Sequence, residues 1–465
     1  MKRVNLILLA MLTTTLAFGQ DITGQWNGML KVQGIQLRIV FHINKADDGY
    51  TATMDSPDQG ATGLPVTSVT FENPKLTLKV SNAGIEYTGE FKDDVIKGTF
   101  KQATFSTEMD LQRQALEKVE VRHPQEPVKP YPYSSEDVKF DNPVAEGVTL
   151  AGTLTLPKEG GKFPVAILIS GSGRQNRDEE LLGQKPFLVL SDYLTRHGIA
   201  VLRYDDRGVA QSTGDFSKAT TADFATDVEA AIAYLKTRPE IDPKHIGLIG
   251  HSEGGIIAPM VAARSKDVAF IVMMAGTGMP GRELLPLQAE LIGRASGMSE
   301  EELKTSKEIN THIFNLVAKT PDLDKLRPEL KSYLQEVVGK LPASEKPKGV
   351  SDEDFIQTQI NQVANPWMVY FLNYDPIPAL KKVKCPVLVL NGDKDLQVPS
   401  KENLPLIRKA LKHNHSAEIV EFPGMNHLFQ ECTTGSPDEY AKIEETLSPK
   451  MLKVTTDWIG KVVKQ

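Results

Sequence analysis

Gly250-His251-Ser252-Glu253-Gly254, followed by Gly255, places a serine between glycines two residues before and two residues after it. The flanks give the pattern its meaning: Ile246-Gly-Leu-Ile reads as a buried strand, and Ile256 to Ala263 as a helix. On such a turn the serine is lifted clear at the carboxyl end of the strand and faces the positive end of the helix. The glycines leave room for the close backbone approach that the turn imposes. The chemistry this suggests is nucleophilic attack on an acyl carbon. It requires more than the serine, because an alcohol is a poor nucleophile until a base takes its proton, and the base needs a group to orient it.

Where a serine sits on such a turn, the acid and then the histidine follow it along the chain. The apolar run Val387-Leu-Val-Leu-Asn ends in Gly392-Asp393-Lys394-Asp395, so two carboxylates lie past a strand's carboxyl end. Asp395 is assigned as the orienter, since its distance from the strand lets the loop turn inward; Asp393 is the rival, with capping of the turn as its plainer role. The last apolar run ends at Phe422 and leads into Pro423-Gly-Met-Asn-His427, which makes His427 the base. His251 neighbours the serine in sequence, but adjacent side chains there point apart. His413 and His415 belong to a helix end, where solvation is the simpler reading. Stabilising the oxyanion takes two preorganised backbone donors. These are assigned to the N–H of Glu253, just after the nucleophile, and the N–H of Ser172, in the small-residue loop Ser170-Gly171-Ser172-Gly173-Arg174.

Other polar clusters invite plainer explanations. Arg203, Asp205, Asp206 and Arg207 are expected to form an internal ion-pair network. Arg174, Arg177, Asp178 and Glu179 could recognise a charged end of a substrate, with surface solvation the stronger expectation. Cys385 and Cys432 are the two cysteines and are expected as free thiols. No His or Cys spacing makes a metal site.

The elements that must position these residues fall into stretches of different texture. Lys2 and Arg3, the apolar run Leu6 to Leu12 and the small residues Ala17-Phe18-Gly19 read as a signal peptide over 1–19, cleaved after Gly19. This places the protein in the periplasm or outside the cell, without stable membrane insertion. Residues 20–116 alternate apolar and polar side chains, as in Leu76 to Val80 and Ile85 to Phe91, with turn residues such as Asn73-Pro74 and Asp93-Asp94 between. They predict a small antiparallel β barrel or sandwich, in which Trp26 is a packing residue. Residues 117–135, with Pro124, Pro127, Pro130 and Pro132, predict an extended connector. From 136 to 465, near-continuous apolar strands alternate with amphipathic helices. That is the grammar of a doubly wound, mostly parallel sheet. The stretch from about 279 to 384 interrupts the alternation with helical patterns, including Glu301 to Ala318 and Pro328 to Val338, and predicts an inserted helical lid. Trp367, Tyr370, Phe371 and Tyr374 near its end could line a pocket.

The composition sets limits of its own. Forty per cent hydrophobic residues over 465 positions supply a sizeable core, and Lys+Arg 53 against Asp+Glu 60 gives a formal charge of -7. Without a basic cluster, a nucleic-acid partner is excluded.

Ser170-Gly-Ser-Gly-Arg-Gln-Asn-Arg-Asp-Glu, Arg203-Tyr-Asp-Asp-Arg-Gly, Gly250-His-Ser-Glu-Gly-Gly and Asn391-Gly-Asp-Lys-Asp together resemble exported bacterial α/β-hydrolases. These are carboxylesterases and acyl hydrolases, similar in turn to serine aminopeptidases. The resemblance covers about 136 to the C-terminus and implies Ser252, Asp395 and His427 as nucleophile, acid and base. The chain departs from those relatives in having Ser170-Gly171 where His-Gly is usual. The resulting expectation is a serine hydrolase that needs neither metal nor organic cofactor and acts on a small-molecule ester of short acyl chain. A peptidase or aminopeptidase acting on a short peptide is the first alternative. A glycan- or lipid-binding protein on a vestigial hydrolase scaffold is the second. Oligomeric state is not legible in the sequence.

Overall fold

The computed structural model describes residues 21–32, 35–47, 49–59, 61–102, 105–117, 123–341 and 351–464; the expected signal peptide lies outside them. Among the described residues, 21–30 and 37–117 form one compact unit, and those from 123 onward belong to a second.

The first unit is all β. Its strands are β1 (Gly24–Val32), β2 (Ile35–Ala46), β3 (Gly49–Ser56), β4 (Ala61–Val66), β5 (Ser68–Glu72), β6 (Lys75–Val80), β7 (Ile85–Lys92), β8 (Val95–Gln102), β9 (Phe105–Glu108) and β10 (Leu111–Gln112). They pair in the order β4-β3-β2-β1-β10-β8-β7-β6-β5, with β9 on β8. The two ends of this path, β4 and β5, are separated in the chain by Thr67 alone. The sheet must therefore curl until its edges meet, giving a barrel-like form. Alternation drives the burial: Leu76, Leu78 and Val80 point inward from β6 while their neighbours face out. Trp26 is fully buried, donates from Nε1 to the Ile22 carbonyl at 2.7 Å and meets Phe91 edge-on, so it is a packing residue. Gly89 and Gly98 face each other across β7 and β8. A Cβ at either would crowd the Tyr87 hydroxyl, which donates to the Ile96 carbonyl at 3.0 Å.

The second unit carries β11 (Ser134–Asp141), β12 (Thr149–Leu156), β13 (Phe163–Ile169), β14 (Ala200–Tyr204), β15 (Ile241–His251), β16 (Phe270–Met274), β17 (Val387–Gly392) and β18 (Ala417–Phe422). They form one sheet in the order β11-β12-β14-β13-β15-β16-β17-β18. β12 is antiparallel to both of its neighbours, and every pair from β14 onward is parallel. Consecutive residues of β13 serve opposite layers. Val165, Ile167 and Ile169 join the core that includes α2 (Thr221–Leu235) and α3 (Gly254–Ala262), while Ala166 and Leu168 join the core beneath α1 (Pro186–Arg196). Burial on both faces is why these strands read as unbroken apolar runs. β11 escaped the sequence reading, which placed its first residues in the connector. Only Val138 and Phe140 of it are buried, too weak a pattern to distinguish an edge strand. From His123 onward the proline-rich stretch is bonded to the second unit. The Gln125 Oε1 accepts the N–H groups of Thr446 and Leu447 at 2.6 and 3.0 Å, and the Tyr133 hydroxyl donates to Asp192 at 2.8 Å.

Between β16 and β17 the chain adds α4 (Gly281–Ala295), α5 (Glu300–Lys319), α6 (Leu323–Lys340), α7 (Asp352–Val363), α8 (Pro366–Asn373) and α9 (Ile377–Leu380). Val317, Leu326, Leu330, Leu334 and Ile360 give this insertion an apolar centre of its own. α6 starts five residues ahead of Pro328, where the Asp322 side chain caps it by accepting the Asp324 N–H at 3.1 Å. After β17 come α10 (Ser400–Ala410) and, at the C-terminal end, α11 (Pro449–Val462), which packs with α1.

A buried ion pair fixes the loop after β14 to α2. The Arg207 Nε and Nη2 donate to the two Asp227 oxygens at 2.7 and 2.8 Å, and Asn142 donates to the same carboxylate at 2.7 Å. Removing one partner strands the other charge in the core. Asp227→Ala should therefore lower the unfolding free energy by about 3–5 kcal/mol in a urea titration, and a loss below about 1 kcal/mol would show that the pair does not hold this loop.

Candidate active site

Ser252 is the first of the two residues between β15 and α3, at φ +53°. A non-glycine residue in that region costs about 1–3 kcal/mol and persists only where its surroundings impose it. Here the backbone imposes it: the Ser252 N–H donates to the Met274 carbonyl of β16 at 2.8 Å, and the Ser252 carbonyl accepts from Gly255 N–H at 2.9 Å. The glycines are explained by contact. A Cβ on Gly250 would collide with the Gly254 carbonyl, one on Gly254 with the Ile169 carbonyl at the end of β13, and one on Gly255 would lie 2.6 Å from Gly276 Cα. The helix start is thus pressed onto two neighbouring strand ends.

Asp395 and His427 arrive on the loops after β17 and β18. The Asp395 Oδ1 accepts the N–H groups of Gln397 and Val398, each at 2.8 Å, and Oδ2 lies 2.8 Å from His427 Nδ1. With Asp395 buried and its lone pairs directed in this way, the His427 proton is fixed on Nδ1 and Nε2 is left as an acceptor. Asp393 does a different job from the turn cap expected of it: Oδ1 accepts Gly424 N–H at 2.6 Å and ties the two loops together. Ser252, His427 and Ser172 line one cavity of about 370 Å³. Among the described residues no backbone acceptor engages the N–H of Ser172 or of Glu253. The Glu253 side chain turns away from the cavity, where its Oε1 accepts from the Thr221 hydroxyl at 2.6 Å and from the Trp367 indole at 2.8 Å.

The sequence reading missed a second histidine beside the first. His251 does not point away: its ring centroid lies 4.9 Å from that of His427. Its Nε2 lies 3.1 Å from the His427 carbonyl, and its Nδ1 lies 2.9 Å from Glu179 Oε1, which also accepts Gly171 N–H at 2.7 Å. Both ring nitrogens face acceptors, and only the imidazolium can donate from both. Burial pushes this histidine's pKa down, but the charge and hydrogen bond of Glu179, together with the His427 carbonyl, outweigh it and the net shift is upward.

Arg177, Asp178 and Glu179 are likewise not surface residues. Arg177 grips both oxygens of Asp205, at 3.1 and 2.7 Å, and Arg203 pairs with Asp178. Burial lowers the Arg203 pKa to about 10 and pushes the Asp206 carboxyl up to about 8, with the Gln175 N–H and the Ser170 hydroxyl holding it at 2.9 and 2.8 Å. The expected internal network after β14 is therefore present, and it extends into the loop after β13. Arg174 does stay exposed, donating to the Gly208 carbonyl at 2.6 Å. Of the four aromatic residues considered, Trp367 and Phe371 line the cavity, whereas Tyr370 and Tyr374 stack on each other against the core. Cys385 and Cys432 are free thiols, and burial raises the former to about 12. Among the described residues no His, Cys, Asp and Glu cluster could hold a metal ion, and no helix is long and apolar enough to cross a membrane.

The profile of the alpha/beta hydrolase family matches residues 167–443, and the chain belongs to that family. Esterase EstD of Thermotoga maritima is 26% identical over 297 residues, which is 63% of this chain and 61% of the esterase. The chain thus matches less than two thirds of that relative's length. Mouse mitochondrial acyl-coenzyme A thioesterase 2 is 31% identical over 137 residues, 29% of this chain and 26% of the thioesterase. Among solved structures, the α/β hydrolase GrgF from Penicillium sp. sh18 aligns with 71% of this chain and 100% of its own, at 16% identity and a TM-score of 0.44.

The His251 arrangement has a measurable consequence. Its folded pKa lies above the usual 6.5, so folding binds its proton. The stability this contributes is complete below about pH 6.5 and is lost as pH rises through the folded value. Thermal melts from about pH 6 to about pH 9 should show a falling arm that His251→Gln flattens. An unchanged slope in the variant would mean that His251 is neutral in the fold.

Proposed function

We propose that this protein is an exported serine hydrolase that cleaves carboxylic esters of short, uncharged acyl groups through an acyl-enzyme. The observation that carries the reading is the His427–Asp395 pair: it leaves Nε2 free to accept on the same cavity that Ser252 lines. In the first step the Ser252 Oγ bonds to the ester carbonyl carbon while its proton passes to His427 Nε2. The oxyanion that forms is held by the N–H groups of Ser172 and Glu253. Collapse breaks the bond to the alcohol oxygen, which takes the proton from His427 and leaves an acyl-serine. Water then attacks that ester, its proton going to His427, and the second tetrahedral species releases the carboxylic acid as Ser252 regains its proton. Asp395 holds the ring and stabilises the imidazolium without itself becoming protonated.

The cavity favours esters over peptides. Among its described lining residues the one carboxylate, Glu179, is committed to His251 and Gly171, and there is no lysine or arginine. Neither a free ammonium nor a free carboxylate group of a substrate would find an unpaired partner there. Leu181, Leu284, Leu285 and Phe371 supply apolar wall instead. At about 370 Å³ the space sits near the lower end of the range of ligand pockets, about 300–1,000 Å³, which supports a short acyl chain. The helices α4 and α8 contribute Leu284, Leu285, Trp367 and Phe371 to this wall and act as the lid.

Rates with p-nitrophenyl esters of graded length and with aminoacyl p-nitroanilides test the reading. Short esters should be hydrolysed fastest, Ser252→Ala should be inactive, and Asp395→Asn should lose about 10⁴-fold in kcat. Faster turnover of the anilides than of any ester would replace the esterase reading with a peptidase. Export is tested separately, by the N-terminal mass of the protein recovered from periplasm or medium, which should begin after Gly19.

A further inference from the structure

The ester mechanism uses the backbone of Glu253 and leaves its side chain without a part. That side chain is buried, and two donors from two elements converge on its Oε1. The Thr221 hydroxyl at the start of α2 donates at 2.6 Å and the Trp367 indole of α8 donates at 2.8 Å. Burial raises the Glu253 pKa, and hydrogen bonding by Thr221 and Trp367 works against that rise. A carboxyl group placed there costs several kcal/mol unless its partners are in place. Shape alone would have been met by a less costly side chain.

The geometry links one oxyanion donor to the inserted helices. Glu253 supplies that N–H itself, and its carboxyl is held from α2 and from α8. Trp367 completes the link: its ring lines the cavity while its N–H, on the far side, holds the carboxyl. We propose that the Glu253 side chain is a positioning residue that sets the oxyanion donor on its own backbone, and that Trp367 transmits the packing of an acyl group to it. Substrate packing on Trp367 then appears in kcat rather than in KM. This rests on the serine-hydrolase reading above.

The test uses the full mature chain, p-nitrophenyl butyrate, and an alkyl boronic acid whose tetrahedral serine adduct places an oxygen between the two donors. Trp367→Phe keeps an aromatic wall and loses the N–H; Thr221→Val keeps the shape and loses the hydroxyl. Each should lower kcat by about tenfold to a hundredfold, with KM held within about twofold and boronic acid affinity falling in proportion. Glu253→Ala should fall at least as far, adding Trp367→Phe to it should change little further, and Glu253→Gln should recover much of the loss. A rise in KM at constant kcat in Trp367→Phe would make Trp367 a substrate contact alone and overturn the proposal. So would additive losses in the double variant. If Glu253→Ala does not fold, Trp367→Phe and Thr221→Val still decide the matter. A fluorophosphonate separates this from the reading beneath it: failure to label Ser252 in wild type removes the hydrolase itself, whereas a labelled wild type with unmoved variants removes only the coupling.

Discussion

Ser252 is held at φ +53° because the chain leaves β15 and enters α3 within two residues, with no space left between backbones. Three glycines make that possible, and each is pressed against a different piece of main chain: the helix itself, the end of β13 and the segment after β16. The turn is therefore a junction of neighbouring strands as well as a display platform for one side chain. The loop after β13 must lie beside it, since Gly171, were it given a Cβ, would meet Ser252 Cβ at 3.2 Å. The strand order then does the rest. β13 and β16 flank β15, and β17 and β18 continue the parallel run, so every loop that matters leaves the sheet at one edge.

Around this junction, two adjacent histidines meet different surroundings. His427 has one carboxylate on Nδ1 and a cavity beyond, whereas His251 has acceptors on both nitrogens. The first environment leaves a lone pair available to a proton; the second occupies both nitrogens and turns the ring into a brace beneath the His427 backbone. Charge pairs extend the bracing outward. Arg177 with Asp205, Arg203 with Asp178, and the hydrogen bonds on Asp206 convert the chain between β13 and α1 from a surface loop into a buried polar network. Such a network is expensive when incomplete and rigid when complete. Rigidity is what the proposed pair of oxyanion donors requires, because preorganised dipoles need not reorient as charge develops.

The parts legible in the sequence were those written in local grammar. Strands buried on both faces announce themselves as apolar runs, and Ser252, Asp395 and His427 each follow one within a few residues, so their edge of the sheet could be inferred before any pairing was known. The helical insertion was visible because about a hundred residues there lack strand signals. Less local features were lost. β11 buries only two side chains and looks like connector. The cap at Asp322 starts α6 earlier than its proline suggested. His251 was set aside by a rule about neighbouring side chains that holds along an extended strand but fails at a turn with positive φ. Glu179 is 72 positions from the histidine it serves, and nothing in either segment records the other.

The sequence by itself determined the sheet, the inserted helices and which strand ends carry Ser252, Asp395 and His427, because those follow from apolar periodicity and glycine spacing over a few residues. Only the tertiary structure decided which charges are spent on one another. Whether Glu179 recognises a ligand or holds a histidine, whether Asp393 or Asp395 reaches His427, and what the Glu253 carboxyl grips all depend on distances between loops far apart in the chain. A hydrogen bond or ion pair changes character within about an ångström, and burial alters its strength several-fold again. Residue type and spacing do not encode that separation; the packed backbone sets it.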